Sequence, residues 1–520
     1  MKNRVSVDLM DELRREVEAV ISLSRFAPFL TYADIRVEIG EGQGAAAENG
    51  EAKASGKDYG FSFGIRVIAG VNIQAAGYFG QTLGAADLDK FQDRLREGFF
   101  HAYERAMANS RRKWEAIKHF PAFADSFLDL RLQPMEVNVD RVPARFKINP
   151  LSMPIGEVVK AATDVSKMIA GLSPEIRYNY SAASTGLRRQ LFMSTEGADI
   201  DQTFAVTAGF CYVAAGSSRG YSSLYDYMGH QAGWEFIEEG ADEEFIKFPN
   251  FSDFGRGLAE KCVKLSHAKP LRRTDDEVVV VTDPHFNTLL VHEILGHPTE
   301  ADRALKMETA YAGRTWLMRG PEDNQIGRQI ASPLVNAYSD PNLPGLGHYK
   351  YDDEGTRAKR IIHIENGIFR GFMNSRQTAF LMNAEPNGHY VAIDAMFVPL
   401  IRMSNTVFAQ GDKDPQDIIK EIDHGYYLVG MRTPSISESR ENFRITSMLT
   451  YEIRNGEVGE LFRDGGIMAD SKDFLMKVDA VGNDFRIIPV GNCGKGQPMQ
   501  ARRLGNGGST MRSRARLTGI

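Results

Sequence analysis

The stretch Val291-His292-Glu293-Ile294-Leu295-Gly296-His297 places a carboxylate beside the first of two histidines that are five residues apart. Residues 277–282 come before it and are typical of a buried strand. Asp283 is a good helix N-cap, and Pro284 suits the first position of a helix. We therefore predict a strand, a short loop and then a helix over residues 284–297 that carries both histidines inward.

The spacing of the two histidines differs from that of common zinc-binding helices, in which H-E-x-x-H places them one turn apart. On a regular helix, five residues rotate His297 by about 140° from His292. A π-bulge absorbs one extra residue, and Gly296 lowers the resistance of the helix to it. We interpret His292 and His297 as two metal ligands on a bulged or terminating helix. Glu293 then serves as general base toward the water that the metal activates.

The alternative is that the two histidines are unrelated, one facing solvent and the other packed in the core. Glu300 and Asp302 favour the metal site, because nearby carboxylates can orient ligating imidazoles. Cys493, in the glycine-rich segment 491–498, is a further candidate ligand. Its position near Lys495 favours a thiolate. Zinc accepts thiolate and imidazole together, and three protein ligands leave one position for water.

Composition narrows the class of protein. The chain has 520 residues, of which 42% are hydrophobic, so two domains are expected. A net charge of -6 gives no basic field for nucleic acid. The three cysteines are far apart and odd in number, which suits a reducing compartment, and Cys211 and Cys262 are expected to be small core residues. With no apolar signal core and no long apolar run, we expect a cytoplasmic protein without a membrane span.

Periodicity along the chain predicts an α+β fold. Residues 40–57, rich in Gly, Ala and Glu, are predicted to form a mobile hairpin loop between two strands. Helices are predicted over residues 8–24, 87–112, 155–170 and 254–268. Short strands are predicted in the second half over residues 330–336, 360–365, 369–374, 406–409, 426–430, 443–452 and 486–490. We therefore expect an N-terminal α+β domain over residues 1–270. A mostly β C-terminal domain over residues 271–520 would carry the metal-site helix.

Several motifs in this order resemble the TldD/PmbA metallopeptidases, and within them the TldD-like, zinc-bearing branch. The resemblance starts from H-E-x-x-x-H at residues 292–297 with the acidic residues after it. It extends to segments 59–70, 351–356, 402–406 and 491–498, so it covers nearly the whole chain. One departure is Pro298-Thr299, where a glycine-containing pair is expected.

The resemblance implies a set of roles for residues of this chain. In that family the two histidines and the late cysteine bind zinc and the glutamate is catalytic, which gives His292, His297 and Cys493 as Zn²⁺ ligands and Glu293 as the catalytic residue. The implied activity is cytoplasmic hydrolysis of small or unfolded peptides by a dimer that encloses its active site. That dimer is either a homodimer or a heterodimer with a PmbA-like partner, and neither nucleic acid nor membrane is an expected partner.

Two other functions stay open at this point. One is a non-catalytic binding or scaffold subunit of a dimeric peptidase complex, against which Glu293 argues because a structural zinc site needs no base. The other is a zinc hydrolase that acts on a non-peptide amide. For the group that stabilises the oxyanion, His348, His389 and Tyr338 are candidates by residue type alone.

Overall fold

A computed structural model of the chain describes residues 5–122, 129–310 and 313–519. It combines helices with three large β-sheets, which confirms the predicted α+β class. The α-helices are α1 (Met10–Ser24), α2 (Phe91–His119), α3 (Ile155–Leu172), α4 (Glu235–Glu239), α5 (Phe251–His267), α6 (Pro284–Val291), α7 (Ala301–Ala304), α8 (Arg376–Met382), α9 (Pro415–Lys420) and α10 (Ser471–Met476). Short 3-10 helices cover Val7–Leu9, Ala85–Lys90, Pro150–Ser152, His297–Thr299 and Pro321–Asp323.

The first sheet is built by long strands from the first half of the chain. Its strands are β1 (Leu30–Glu48), β2 (Glu51–Ala69), β3 (Ala75–Thr82), β4 (Val139–Val142), β5 (Ile176–Ser194), β6 (Asp199–Ser217) and β7 (Gly220–His230). The strand order is β3-β2-β1-β5-β6-β4, and β7 also pairs with β6. All neighbours are antiparallel except β4 and β6.

Residues 40–57 form strands, so the predicted mobile loop is wrong. β1 and β2 pair along their whole lengths up to a two-residue turn at Asn49-Gly50. Both turn residues are left-handed, with φ of 49° and 87°, as a tight hairpin turn requires. β1 is also paired with β5 from Asp34 to Glu48, so its small residues lie between two strands. The Asn-Gly pair is the sequence signal for this turn.

The two faces of the first sheet have different neighbours because side chains alternate along a strand. Odd-numbered residues of β1 join two apolar clusters under the helices α1, α2, α3 and α5. Even-numbered residues point to the second half of the chain, where Arg36 donates from Nη1 to Asp353 Oδ2 at 2.8 Å. The first sheet therefore has one face covered by helices and the other turned toward the metal-site region.

The other strands form two further sheets and two short pairs. They are β8 (Ala241–Asp242), β9 (Lys247–Phe248), β10 (Lys269–Pro270), β11 (Val278–Thr282), β12 (Ala337–Ser339), β13 (Ile361–Glu365), β14 (Ile368–Phe369), β15 (Tyr390–Val391), β16 (Leu400–Ile401), β17 (Asn405–Phe408), β18 (His424–Ile436), β19 (Asn442–Arg454), β20 (Glu457–Arg463), β21 (Gly466–Asp470), β22 (Ala480–Val481), β23 (Arg486–Lys495), β24 (Gln500–Gly508) and β25 (Met511–Thr518). The second sheet has the order β10-β20-β19-β18-β11-β25-β21, with β22 on β25. The third has the order β14-β13-β12-β17-β24-β23.

Short strands in the second half were predicted unevenly. The strand predicted over residues 330–336 is wrong, because this segment is an irregular connection and the strand begins at Ala337. That predicted over residues 369–374 extends only to Phe369. The short strands β15, β16 and β22 and the longer strands β20, β21, β24 and β25 also fall outside the predicted segments. The last two are well buried, but the sequence did not predict them, because the glycines of β24 and the alternating arginines of β25 leave little hydrophobic signal.

Helix α6 lies in the core between the second and third sheets. It packs against β18 of the second sheet and β24 of the third. Phe286, Leu290, Ile294 and Leu295 are fully buried there, in one cluster with residues of both sheets. The metal-site helix is thus held on both sides by strands. The division into domains at residue 270 stays a prediction, and among the described residues no helix has the length and apolarity of a membrane span.

A buried ion network joins the first sheet to the loop before β13. Arg66 of β2 donates from Nε and Nη2 to Asp34 Oδ2 at 2.9 and 2.6 Å, and from Nη1 to Glu354 Oε1 at 2.7 Å. All three residues are buried. Removing one partner of a buried pair leaves an uncompensated charge, which is strongly destabilising.

We predict that Arg66→Met lowers the free energy of unfolding by about 3–5 kcal/mol, because two buried carboxylates lose their cation. Urea unfolding followed by tryptophan fluorescence measures the change. Lys53→Met is the matched control, since Lys53 pairs with Glu48 on an exposed hairpin and its loss should leave the urea midpoint unchanged. Equal effects of the two substitutions would contradict a structural role for the Arg66 network.

Candidate metal centre

The two histidines are brought together by a π-helical turn. Asp283 Oδ1 accepts the N–H of Phe286 at 2.7 Å and caps α6. After α6 ends, residues His292–Gly296 form the π turn, and the N–H of His297 donates to the carbonyl of His292. The imidazole centroids lie 4.7 Å apart with their planes at 86°. The predicted bulge is confirmed, and it turns a separation of five residues into one wide turn with both rings on the same side.

Packing around Gly296 explains why the turn forms at this place. A Cβ at position 296 would lie 2.0 Å from the Met403 sulfur, so only glycine fits against that buried side chain. Trp316 donates from Nε1 to the carbonyl of Ile294 at 3.0 Å. Thr299 donates from Oγ1 to the carbonyl of Gly296 at 2.8 Å. Side chains thus satisfy carbonyls that the irregular turn leaves without regular helical partners.

Cys493 completes a cluster of three donor atoms. It lies on β23, directly after a bulge between Val490 and Cys493 in the pairing with β24. Its Sγ is 3.4 Å from Nε2 of His297. One donor atom from each of His292, His297 and Cys493 lies within 4.8 Å of the other two, and all three residues are buried. The structure therefore brings together the three residues that the sequence predicted as ligands.

The electrostatics of the cluster favour a thiolate at Cys493. Burial alone would raise the pKa of its thiol, but His292, His297 and Arg402 hold that pKa well below its ordinary value. Arg402 also donates to the carbonyl of Cys493. Lys495, which the sequence suggested as the activating cation, points elsewhere and binds carboxylates. The cations that stabilise the thiolate come from the cluster itself and from Arg402.

Glu300 orients the second imidazole. Its Oε2 lies 3.1 Å from His297 Nδ1 and also accepts from Arg303 Nε at 2.8 Å. Lys495 Nζ lies 3.1 Å from the same oxygen. Burial would raise the pKa of Glu300, yet Lys495, His297 and Arg303 lower it well below its ordinary value. The ionised carboxylate holds the Nδ1 proton of His297, which leaves Nε2 directed at Cys493.

Asn506, which the sequence did not suggest, plays the corresponding part for His292. Its side-chain amide nitrogen lies 2.8 Å from His292 Nδ1, and both side chains are buried. Asn506 Oδ1 has no hydrogen-bond partner within the described residues. A half-turn of the amide places Oδ1 against Nδ1, where it accepts the Nδ1–H and frees Nε2 for a metal. Asn506 lies 214 residues from His292 along the chain, and no local motif signals the contact.

Asp302 does not contact an imidazole, which corrects the expected role. Both of its carboxylate oxygens accept from Lys495 Nζ, at 2.7 and 2.8 Å, and Oδ2 also accepts the N–H of Ile401 at 3.3 Å. Asp302 therefore fixes the lysine that supports Glu300. Asp302 contacts the proposed ligand His297 only indirectly, through Lys495 and Glu300, whereas the sequence suggested a direct contact.

Glu293 lies on the π turn and is paired with Arg440. One Glu293 carboxylate oxygen accepts a hydrogen bond from Arg440 Nη1, which also reaches the backbone carbonyl of Glu293 at 3.3 Å. Burial would raise the pKa of Glu293, but Arg440, His292 and His297 bring it below its ordinary value. Arg440 has a left-handed backbone, with φ of 63°, a conformation that is uncommon for such a side chain. The sequence did not indicate Arg440.

The three candidate oxyanion donors have other partners. His389 is fully buried, binds the carbonyl of Asn387, and burial lowers its pKa to about 3. Tyr338 lies under the guanidinium of Arg360 at 4.4 Å. His348 binds the carbonyl of Pro341 at 2.9 Å and lines a cleft.

This cleft has a volume of about 810 Å³, and its lining includes neither the three proposed ligands nor Glu293. Its floor is the even-numbered face of β1 and β5, where Gly40, Gly42, Gly44 and Gly186 leave backbone bare. Gly491 and Asn492, the two residues before Cys493, form part of its wall. The cleft therefore connects the first sheet with the strand that carries the cysteine.

Comparisons with known proteins identify the family of the chain. The profile described as "PmbA/TldA metallopeptidase C-terminal domain" matches residues 275–510, which include both histidines and Cys493. A protein of Methanothermobacter thermautotrophicus named a metalloprotease is 30% identical over 386 residues, which cover 74% of this chain and 78% of that protein.

Two further similarities concern the name and the fold. A zinc metalloprotease TldD homolog of Saccharolobus solfataricus is 30% identical over 240 residues, covering 45% of this chain and 49% of that protein. The crystal structure of TldE from Thermococcus kodakarensis superposes with a TM-score of 0.69 at 18% identity, over 97% of this chain and 100% of that chain, which shows a shared fold. The chain thus belongs to the TldD/PmbA family of metallopeptidases.

Proposed function

We propose that this protein is a zinc-dependent peptidase that hydrolyses small or unfolded peptides, with His292, His297 and Cys493 as ligands and Glu293 as general base. The observation that carries the proposal is the convergence of two imidazoles and a thiolate beside a carboxylate on the same turn. A relative named a zinc metalloprotease supports the choice of metal.

The donor set fits zinc on chemical grounds. Two imidazole nitrogens and one thiolate match a zinc site that keeps a fourth position open. Ligands must be deprotonated, and the lowered pKa of Cys493 meets that condition. Glu300 and Asn506 satisfy the outer ring nitrogens, as carboxylates and amides commonly do for metal-bound histidines. The chemistry that zinc supplies when bound is activation of a water molecule and polarisation of the scissile carbonyl.

Glu293 moves the proton in this proposal. It takes a proton from the attacking water and gives it to the departing amine nitrogen, so the carboxylate starts and ends ionised. Arg440 keeps the carboxylate ionised before the reaction and fixes its orientation through their hydrogen bond. Their contact makes Glu293 a directed base, since a free carboxylate on an irregular turn would sample several rotamers.

The cleft supports a peptide as substrate. A volume of about 810 Å³ is in the range of sites that hold drug-sized ligands, so a short extended segment fits while a folded domain does not. Bare backbone at the glycines of β1 lets a flexible chain approach closely. These features favour small or unfolded peptides over intact proteins.

We predict about one zinc per chain in the purified protein, because three protein ligands form one site. His292→Ala, His297→Ala and Cys493→Ala should each lose most of the metal, which inductively coupled plasma mass spectrometry measures. Cys493→Ser should also lose it, since a hydroxyl is a poor zinc ligand at neutral pH. Full zinc occupancy in Cys493→Ser would overturn the three-ligand site.

Control variants distinguish the zinc ligands from residues that only orient or surround them. Cys211→Ala and Cys262→Ala should keep their zinc, as both thiols are buried elsewhere and burial raises the pKa of Cys211 to about 12. Glu300→Gln should weaken zinc affinity by about 10–100-fold, because it disturbs the hydrogen bond that orients His297. Asp302→Asn should weaken it less, since the carboxylate of Asp302 reaches Glu300 only through Lys495 and contacts neither imidazole.

We predict that Glu293→Gln, which removes the proposed general base, lowers kcat/KM by about 10²–10⁴-fold. General base catalysis usually contributes a rate increase of this size. The substitution is nearly isosteric and leaves the three ligands in place, so zinc content and peptide binding should be retained. Peptide hydrolysis followed by mass spectrometry, with zinc content measured on the same sample, tests this. Activity within a few-fold of wild type at full occupancy would remove Glu293 from the mechanism.

We also propose that the working form is a dimer, either of this chain or with a PmbA-like partner, whose second subunit covers the cleft. A covered cleft would keep folded proteins out, and two-fold dimers are the commonest assembly. Light scattering should give twice the chain mass of 57.9 kDa, or the mass of a one-to-one complex once the partner is added. A monomer that hydrolyses peptides at full rate would contradict the proposal.

A further inference from the structure

Arg502 lies at the junction of the cleft and the metal cluster. It is on β24, directly paired with Cys493 on β23. Paired residues of an antiparallel ladder have Cα atoms about 4.5–5.5 Å apart, so the Cα atom of Arg502 lies next to that of Cys493, a proposed ligand. Its side chain lines the cleft together with Arg188. A peptide in this cleft would therefore meet Arg502 close to the scissile bond.

The guanidinium of Arg502 has no anionic partner. Within the described residues it makes no hydrogen bond or ion pair, and it lies over the ring of Tyr349 at 5.2 Å. Burial and the nearby cations Arg188 and Arg402 lower its pKa to about 10, against a smaller opposing effect of Tyr349. A half-buried cation without a counterion is costly, so this arrangement is unfavourable unless an anion binds.

Arg188 holds a second guanidinium in the same cleft. It lies over the ring of Phe204 at 4.8 Å, and Phe204 and Tyr349 belong to one small apolar cluster. Its carboxylate contact, to Glu38 Oε2, is long at 3.4 Å. Burial raises the pKa of Glu38 to about 7, although Arg188 opposes the rise, so Glu38 neutralises Arg188 only in part. Two stacked arginines thus lie side by side with an excess of positive charge.

Three other charged groups near the two arginines have partners within this chain. Arg402 uses its two terminal nitrogens on the carbonyls of Cys493 and Gln500. Glu41 accepts the N–H of Val7, and Asp394 accepts the N–H of Met396. Asp58 and Arg503 also line the cleft but are exposed to solvent, so Arg502 and Arg188 are the half-buried arginines of the lining that can receive an anion.

We propose that Arg502 and Arg188 form a subsite that binds a carboxylate of the peptide substrate, either its C-terminal carboxylate or an acidic side chain near the scissile bond. The planar guanidinium matches a carboxylate through two parallel hydrogen bonds, and the rings hold both groups in a fixed orientation. This inference rests on the proposed peptidase function, because it takes the cleft as the place where peptide binds. It adds a substrate class, carboxylate-bearing peptides, to that function.

The test uses four kinds of fluorescein-labelled peptide, all based on one parent sequence. They are bound to the full-length Glu293→Gln protein, so that anisotropy measures binding without turnover. One peptide has a free C-terminus and the second a C-terminal amide. The third and fourth are amides that carry Glu or Gln, scanned through successive positions. Tighter binding of the first peptide alone assigns the C-terminus, and tighter binding of the Glu peptide alone assigns an acidic side chain. If both bind more tightly, the subsite takes either carboxylate, and equal binding of all four overturns the inference.

Binding to arginine variants then tests whether the preference for a carboxylate comes from Arg502 and Arg188. Arg502→Gln should weaken binding of the preferred carboxylate peptide by about 10- to 100-fold, as expected for hydrogen bonds to a charged group, and leave the amide peptide unchanged. Arg502→Lys keeps the charge without the fork and should recover only part of the affinity. Arg514→Gln, which removes an exposed arginine from β25, is the matched control for net charge and should bind like the parent.

These outcomes separate this inference from the proposed function. A carboxylate preference that Arg502→Gln abolishes supports the subsite even if the protein proves not to hydrolyse peptides through zinc. Conversely, hydrolysis that depends on Glu293 and zinc, with no carboxylate preference in the parent protein, overturns the subsite and leaves the peptidase proposal intact. A preference that survives in both Arg502→Gln and Arg188→Gln also overturns it, because the anion would then bind elsewhere.

Discussion

The constraint on which the site depends is the spacing of His292 and His297. Five residues cannot place two imidazoles on one side of a regular helix, because the second would turn away by about 140°. The π turn removes that mismatch, and tertiary contacts hold it in addition to its own hydrogen bonds. Gly296 lies against Met403, and Trp316 binds the carbonyl of Ile294. The local irregularity is therefore a property of the whole core between two sheets.

The charged groups beside His297 form a chain of contacts that extends outward from its imidazole. Glu300 accepts from His297 and is held by Lys495, which is in turn held by Asp302. Each of these groups is buried, so each would be costly alone and is acceptable only with its neighbour. Such a chain fixes the tautomer and orientation of the ring that faces Cys493. It also links α6 to β23, two elements that are far apart in sequence but close in space.

The sequence predicted those parts of the structure that local pattern determines. The main helices have a clear 3.6-residue period, and Asp283 and Pro284 mark the start of α6. His292, His297 and Cys493 were identified as candidates because their residue types and the glycines around them are unusual. Asn506 and Arg440 were not predicted, because each contacts the site through a single long-range contact without a local motif. The hairpin of β1 and β2 was taken for a loop because alanine and glycine give weak strand signals, although Asn49-Gly50 marks its turn.

The partners of the charged groups distinguish two kinds of arginine near the cleft. Arg440 and Arg303 each bind a carboxylate of this chain, so their charges serve to fix Glu293 and Glu300. Arg402 binds backbone carbonyls on both sides of the β23–β24 turn. Arg502 is only half-buried, unlike these three, and within the described residues its guanidinium has aromatic contact alone. Stacking on a ring compensates little of the cost of desolvating a cation, and it leaves the hydrogen-bond donors of the guanidinium without an acceptor among the described residues. Arg440 and Arg303 are neutralised by carboxylates and Arg402 is hydrogen-bonded to backbone, whereas Arg502 is left to a group that arrives from outside.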